Sequence, residues 1–382
     1  MRVLLLEAGQ NLSSDTCQCA MLTYSYKNSI EITEKLPAEA REVARFCRLP
    51  LESCAAVPTA ASHGRVAARS YEMVNRRSQL GGGEQHQGRV LEVSRRFVTL
   101  LTAEGSTVTG TLSSKSLDFV AGDIVSFASK DGEIFVTQGQ PAQRSLYRTF
   151  HGSLKRMGAN IDLLCVITAS GPTWNPVAID RMLAAGTVQN IPTVLIINKI
   201  DLGIGEIQSM IDVYSQVGVH VMQSSAKRGD GIAELHAMLQ RDSVQVMALC
   251  GVSGVGKSSI LNALIPGTRT RTGEVSEKTG QGKQTTSQPR GFLFAGGAAG
   301  HKVVIDLPGV QFFGLAHLTS QDVSVAFQEI ANTAQGCRFR DCRHIKEKEC
   351  AVREAVEQGA IAPWRYHSYL QILDEIEEAK EY

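Results

Sequence analysis

Gly251-Val252-Ser253-Gly254-Val255-Gly256-Lys257-Ser258-Ser259 decides the fold of this chain. The stretch fits G-x-x-x-x-G-K-[ST], a loop whose backbone N–H groups surround phosphate oxygens. An apolar run at residues 244–250 leads into it, and a helical pattern leaves it at Lys257. Strand, glycine-rich loop and helix are the context the motif requires. The glycines let the chain curl so that successive N–H groups point inward. The helix N-terminus adds its dipole. Lys257 is expected on the β- and γ-phosphates, and the Ser258 hydroxyl on Mg²⁺.

Upstream, Asn198-Lys199-Ile200-Asp201 ends a strand expected at residues 193–197. The Asp201 carboxylate accepts two hydrogen bonds from guanine, from N1–H and the 2-amino group. Adenine has an acceptor at N1 and no 2-amino group, so it leaves that carboxylate unpaired. This argues against an ATPase. Asn198 would tie the base edge to the phosphate loop, and the Lys199 stem would lie over the purine. Ser224-Ser225-Ala226-Lys227 follows the next expected strand and supplies a second wall, with a backbone N–H from Ala226 to guanine O6. In ordinary GTP-binding proteins the base motif follows the phosphate loop. Here it precedes it.

Downstream, Gly282-Lys283-Gln284-Thr285-Thr286-Ser287 reads as a first switch, with Thr285 or Thr286 on Mg²⁺ and sensing the γ-phosphate. Asp306-Leu307-Pro308-Gly309 fits D-x-x-G. Asp306 would hold Mg²⁺ through water, and the Gly309 N–H would meet the γ-phosphate. Val310 stands where many GTPases place a water-orienting glutamine. Gln284 is the candidate to act in its place, beside Lys257, Thr285 and Thr286.

Strands alternating with helices from about residue 160 onward imply a mostly parallel, doubly wound sheet. Before it, short β segments at residues 90–93, 97–101, 107–111, 124–127 and 134–137 are punctuated by Gly105, Gly122-Asp123 and Asp131-Gly132. They suit a small closed barrel such as an OB-fold, with an SH3-like barrel or an undifferentiated β module as the alternatives. After it, Cys337, Cys342, His344 and Cys350 make C-x4-C-x-H-x5-C. Three thiolates and one imidazole fill a tetrahedral Zn²⁺ shell and leave no open position, so this zinc is expected to be structural. Arg338, Arg340, Arg343, Lys346 and Lys348 interleave with the ligands as a basic knuckle suited to phosphates. The acidic end, residues 374–382, reads as a solvated helix end.

The net charge is +1, so any nucleic-acid surface must be local. No apolar run reaches the ~20 residues of a membrane span, and no signal peptide is read. The nine cysteines form no secreted disulfide framework. Cys17, Cys19, Cys47 and Cys54 lack zinc spacing, and a short helix is expected over residues 37–48.

The rotated motif order, a preceding barrel and a following Cys₃His segment together closely resemble the YjeQ/RsgA family of circularly permuted GTPases. Gly88-Arg89-Val90, Gly122-Asp123, Ala159-Asn160-Ile161-Asp162 and Asp306-Leu307-Pro308-Gly309-Val310 carry the resemblance with the nucleotide and Cys/His motifs. It implies a multidomain chain: an unassigned extension at 1–85, an OB-fold RNA-binding barrel at 86–145, a circularly permuted α/β P-loop GTPase domain at 146–318, and a helical zinc-binding domain at 319–382. It also implies a cytoplasmic, monomeric enzyme that binds GTP and GDP with Mg²⁺, carries one Zn²⁺ and binds the small (30S) ribosomal subunit and its rRNA. No membrane or DNA partner is expected. Subunit-stimulated GTP hydrolysis would assist late 30S maturation and release of assembly factors. The alternative is an RNA-binding scaffold with GTP as a regulatory ligand. Two features depart from the family. Its first switch reads G-x-H-T-T, and Gln284 replaces that histidine. Its basic N-terminal arm is not matched by the scattered Arg65, Arg69, Arg76 and Arg77.

Overall fold

Alternating short segments close on themselves first. In the computed structural model, which describes residues 85–268, 288–297, 300–309 and 313–379, strands β1 (Gln85–Ser94), β2 (Phe97–Thr102), β3 (Thr107–Leu112), β4 (Ile124–Lys130) and β5 (Glu133–Gly139) form a closed barrel. Its order is β1-β2-β3-β5-β4, with β3 and β5 parallel and β1 closing on β4. That is the OB arrangement rather than the SH3-like one. Period-two alternation turns Val90, Val98, Leu100, Val125 and Val136 inward, each 0 % exposed. The expected helix over residues 37–48, the four N-terminal cysteines and Gln284, Thr285, Thr286 and Val310 lie outside the described residues.

A hairpin that the periodicity did not announce follows: β6 (Ser145–Phe150) and β7 (Ser153–Ala159). Its two-residue turn, His151-Gly152, has φ of 47° and 69°, the double positive φ of a primed hairpin turn. The hairpin is pinned to the barrel where two distant motifs meet. A Cβ on Gly122 would lie 2.0 Å from the Ala159 carbonyl oxygen. Asn160 Nδ2 donates to the Gly122 carbonyl at 3.0 Å, and Arg156 pairs with buried Asp123 at 2.6 Å.

Next comes the doubly wound sheet: β8 (Leu163–Ala169), α1 (Pro176–Val188), β9 (Thr193–Asn198), α2 (Gln208–Gln216), β10 (His220–Gln223), α3 (Ile232–Gln240), β11 (Val246–Cys250), α4 (Lys257–Leu264), β12 (Arg290–Gly297) and β13 (Gly300–Asp306). Asn175 caps α1 by accepting from the Ala178 N–H, with Pro176 in the first turn. The six strands run β10-β9-β8-β11-β13-β12. All neighbours are parallel except β12, an antiparallel edge strand that was not expected. A 3₁₀ turn (Gly205–Ile207) leads into α2. Two apolar clusters cover the two faces of the sheet, which is why its central strands read as unbroken hydrophobic runs. The barrel packs on β12: a Cβ on Gly291 would sit 3.1 Å from Leu91 Cα, and Arg290 pairs with Glu92 at 3.0 Å.

The C-terminal segment is helical: α5 (Ser320–Ala326), α6 (Gln328–Ala334), α7 (Ala351–Glu357) and α8 (Pro363–Glu378). Thr319 and Asp322 form a capping box at the start of α5. The acidic end of α8 is solvated only in part: Asp374, Glu378 and Ala379 are exposed as expected, but the helix also buries one face there. Ile376 is 1 % exposed. Glu375 pairs with Arg181 of α1 and accepts the backbone N–H groups of Leu315 and Ala316.

A buried ionic network joins α8 to the sheet domain. Arg365 contacts Asp180 at 2.5 Å and Glu329 at 2.7 Å, and its guanidinium stacks on Phe327 and Tyr214. Tyr214 donates to Asp180 at 2.9 Å. Burial pulls the Arg365 guanidinium down, but Asp180 and Glu329 together raise it above its ordinary value. Arg365→Ala is expected to cost about 3–5 kcal/mol, because Asp180 is left charged and buried. The double change Arg365→Met with Asp180→Leu should cost far less. Urea unfolding of both variants checks this, and equal losses would place the cost in packing rather than charge.

Candidate nucleotide site and metal centre

The sheet order brings the motifs to one edge. Strands β9, β10, β11 and β13 are parallel, and the base motif, the second wall, the phosphate loop and Asp306-Leu307-Pro308-Gly309 each lie at the carboxyl end of one of them. This edge is where open α/β sheets bind ligands. The rotation of the motifs along the chain therefore leaves their arrangement in space intact.

The phosphate loop is shaped by glycines that no other residue replaces without strain. Gly254 has φ of 84° and Gly256 of 97°. A Cβ on Gly256 would lie 2.3 Å from Asn198 Nδ2. Val255 is buried in the core beneath the loop, and Val252 packs against both apolar clusters. Ser253 is half-buried, and Ser258 and Ser259 open α4. Lys257 Nζ donates to the carbonyls of Gly251 at 3.0 Å and Val252 at 3.3 Å. Burial lowers the Lys257 pKa, and the nearby Asp306 carboxylate opposes that shift. A Cβ on Gly309 would sit 3.0 Å from Lys257 Nζ, so Gly309 closes directly on the lysine. Asp306 is 2 % exposed at the end of β13.

The base motif is built into the same loop. Asn198, 1 % exposed, donates through Nδ2 to the Val255 carbonyl at 2.8 Å. Lys199 takes a left-handed φ of 60°, which aims its stem across the site to the Gly254 carbonyl at 2.6 Å. Ser225 donates to Asp201 Oδ1 at 2.6 Å while accepting the Arg228 N–H. That hydroxyl holds the Asp201 carboxyl below its ordinary value and so keeps it ionised. Ile200 and Lys227 flank this wall. The Ala226 N–H reaches the base motif, donating to Asn198 Oδ1 at 3.2 Å. The residues present fit a guanine nucleotide. The phosphate cradle is a space that a Cβ would fill, and an ionised carboxylate stands at its far end.

Beyond residues 310–312 the chain is clamped. Thr149 of the hairpin donates to the Gly314 carbonyl at 2.8 Å, and its hydroxyl meets His317 Nδ1 at 3.1 Å. Glu375 holds Leu315 and Ala316 from the other side. Sequence reasoning missed these positions because their partners lie far away in the chain.

Cys337, Cys342, His344 and Cys350 converge, with all ligand atoms within 4.8 Å of one another. A tetrahedral zinc with its usual bond lengths implies S···S edges of about 3.8 Å and S···N edges of about 3.5 Å. The Cys337–Cys350 sulfurs lie 3.9 Å apart, and His344 Nδ1 lies 3.5 and 3.4 Å from them. The donor set fits zinc. Burial lowers the His344 pKa, which favours the neutral imidazole a metal needs. The loop is also braced from within. Glu347 accepts the N–H groups of Arg343, Ile345 and Lys346, and Tyr366 of α8 donates to the His344 carbonyl at 2.5 Å.

A family model described as RsgA GTPase matches residues 140–316. A relative from Pseudomonas putida, named small ribosomal subunit biogenesis GTPase RsgA, is 37 % identical over 265 residues, 68 % of this chain and 75 % of the relative. A relative of the same name from Haemophilus influenzae is 32 % identical over 301 residues, 78 % of this chain and 82 % of its own length. Among solved structures, YjeQ from Thermotoga maritima superposes with a TM-score of 0.60 at 27 % identity, covering 77 % of this chain and 99 % of that one. YloQ, described as a circularly permuted GTPase, gives 0.56 at 22 % identity over 77 % of this chain and 96 % of that one, a likeness of fold.

Proposed function

The chain belongs to the RsgA GTPase family, and on that premise we propose that it hydrolyses GTP to GDP and phosphate on the small ribosomal subunit and assists that subunit's late maturation and the release of assembly factors. The observation that carries this is the joining of base motif to phosphate loop, through Asn198 to Val255 and Lys199 to Gly254. One rigid unit then reads the guanine and holds the phosphates.

In this reading Asn198, Lys199, Ile200, Asp201, Ser225, Ala226 and Lys227 surround the base, and residues 251–259 the phosphates. Mg²⁺ accompanies GTP, with Ser258, Asp306 and Thr285 or Thr286 as its holders. Lys257 and Gly309 face the γ-phosphate, where Mg²⁺ supplies charge neutralisation. Gln284 is proposed to orient water from the switch side. One structural Zn²⁺ sits among Cys337, Cys342, His344 and Cys350. The barrel at 86–145 and the basic knuckle of the 319–382 domain would grip rRNA on either side of the GTPase domain at 146–318. The protein would act as a cytoplasmic monomer with no DNA partner. No described helix is long and apolar enough to cross a membrane.

The test is steady-state GTP turnover with and without purified small subunits. Turnover is expected to rise on the order of tenfold or more with subunits, as a partner that orders the switches would cause. Gln284→Ala should lose most of that rise. No stimulation would favour the scaffold reading instead.

A further inference from the structure

The geometry points to the Ser253 hydroxyl as the loop-side group that positions the attacking water against the γ-phosphate. This rests on the GTPase reading above and deepens it. Val310 carries no polar atom where a glutamine would orient water. Ser253 of the phosphate loop borders Gly309. A Cβ on Gly309 would sit 3.0 Å from Lys257 Nζ, 3.4 Å from Ser253 Cα and 3.5 Å from Ser253 N. Lys257, Gly309 and Ser253 therefore meet within about one side chain's width. The first two are the groups that face the γ-phosphate, so Ser253 borders the reacting end.

The other residues near it have roles of their own. Val252 and Val255 are apolar and turn into the core. Ser258 follows Lys257 on α4, where Mg²⁺ is expected. Ser170 donates to the Lys199 carbonyl at 2.9 Å, and Ser225 holds Asp201. Ser253 is half-buried on the loop itself.

A serine hydroxyl both donates and accepts. Its oxygen would accept from the water, and its O–H would donate to a γ-phosphate oxygen. As the water oxygen bonds to the γ-phosphorus, the bond from that phosphorus to the β–γ bridging oxygen breaks. The bridging oxygen leaves on GDP with the electron pair, and the water proton passes to a γ-phosphate oxygen. Ser253 ends as it began.

The test compares wild type, Ser253→Ala, Ser253→Thr and Ser253→Gly in single-turnover GTP hydrolysis with subunits, beside GTP affinity and capture of GDP with aluminium fluoride. Ser253→Ala is expected to hydrolyse roughly tenfold or more slowly. Its GTP Kd should move less than about twofold, because the contact is made mainly at the reacting stage. Capture of aluminium fluoride should weaken with the rate, and Ser253→Thr should recover both. An active wild type with an equally active Ser253→Ala overturns the proposal alone. So does a faster Ser253→Gly, which would make the side chain an obstruction, and so does an equal loss of rate and affinity. A wild type inert with subunits overturns the GTPase reading and this proposal together.

Discussion

Asp201→Asn is expected to weaken GTP binding by roughly a hundredfold or more and to make xanthosine triphosphate the better ligand. Ser225 decides which way the new amide faces. Its oxygen already accepts the Arg228 N–H, and its proton goes to Asp201 Oδ1. An amide oxygen can take that proton; an amide nitrogen cannot. The NH₂ is therefore directed at the base, where the second carboxylate oxygen stood. Guanine presents its 2-amino donor there, so donor meets donor. Xanthine presents a carbonyl at the same place and is satisfied. Because Asp201 lies at the site mouth and not in the core, the fold should be unaffected, and the melting temperature serves as the control. Fluorescent-nucleotide titration reads the outcome. An unchanged preference for GTP would remove Asp201 from base recognition.

Legibility from sequence followed how local each constraint is. The phosphate loop, the base motif and the Cys/His spacing are short segments whose chemistry is complete within a few residues. The barrel strands were legible because glycine and aspartate-glycine turns separate alternating segments. The β6–β7 hairpin was not. Its turn is His151-Gly152 rather than Asn-Gly, and Tyr147, Arg148, Lys155 and Arg156 blur the alternation. Its real anchor is Gly122 meeting Ala159, a contact no local pattern shows. Strand β12 carries its apolar residues as one short run, Phe292-Leu293-Phe294-Ala295, between glycines and without alternation, so the local pattern does not announce a strand that β13 pairs with. The acidity of the end of α8 announced its exposed residues, Asp374 and Glu378, but not its buried face. Ile372 and Ile376 stand four apart, a helical signal for a buried face that outweighs Asp374, Glu377 and Glu378. Glu375 was not solvated because Arg181, nearly two hundred residues upstream, waits for it.

Removal of zinc, by chelation or by Cys350→Ser, is expected to unfold the segment around residues 337–350 and to loosen α8 with it. Structural zinc in small segments contributes on the order of 10 kcal/mol of binding free energy to folding. Little else here matches that. The segment is short, His344 and Glu349 hold positive φ of 63° and 56°, and the internal brace is one carboxylate, Glu347. Cys350 is also an apolar contact of the main core and the residue from which α7 starts. Losing the loop frees Tyr366 and Tyr369, whose hydroxyls donate to the His344 and Arg343 carbonyls, and these lie on α8 beside Arg365. The same helix carries Glu375, which clamps residues 315–316 just beyond the second switch. Zinc loss should thus be felt at the nucleotide edge through α8, as a lower subunit-stimulated turnover with GTP affinity in the free protein largely kept. Metal analysis should find one zinc per chain in the wild type and none in Cys350→Ser. Hydrogen exchange should show protection lost first at residues 337–350 and then along α8. A chain that holds no zinc and keeps its exchange protection after chelation would leave the four residues as ordinary thiols and an imidazole.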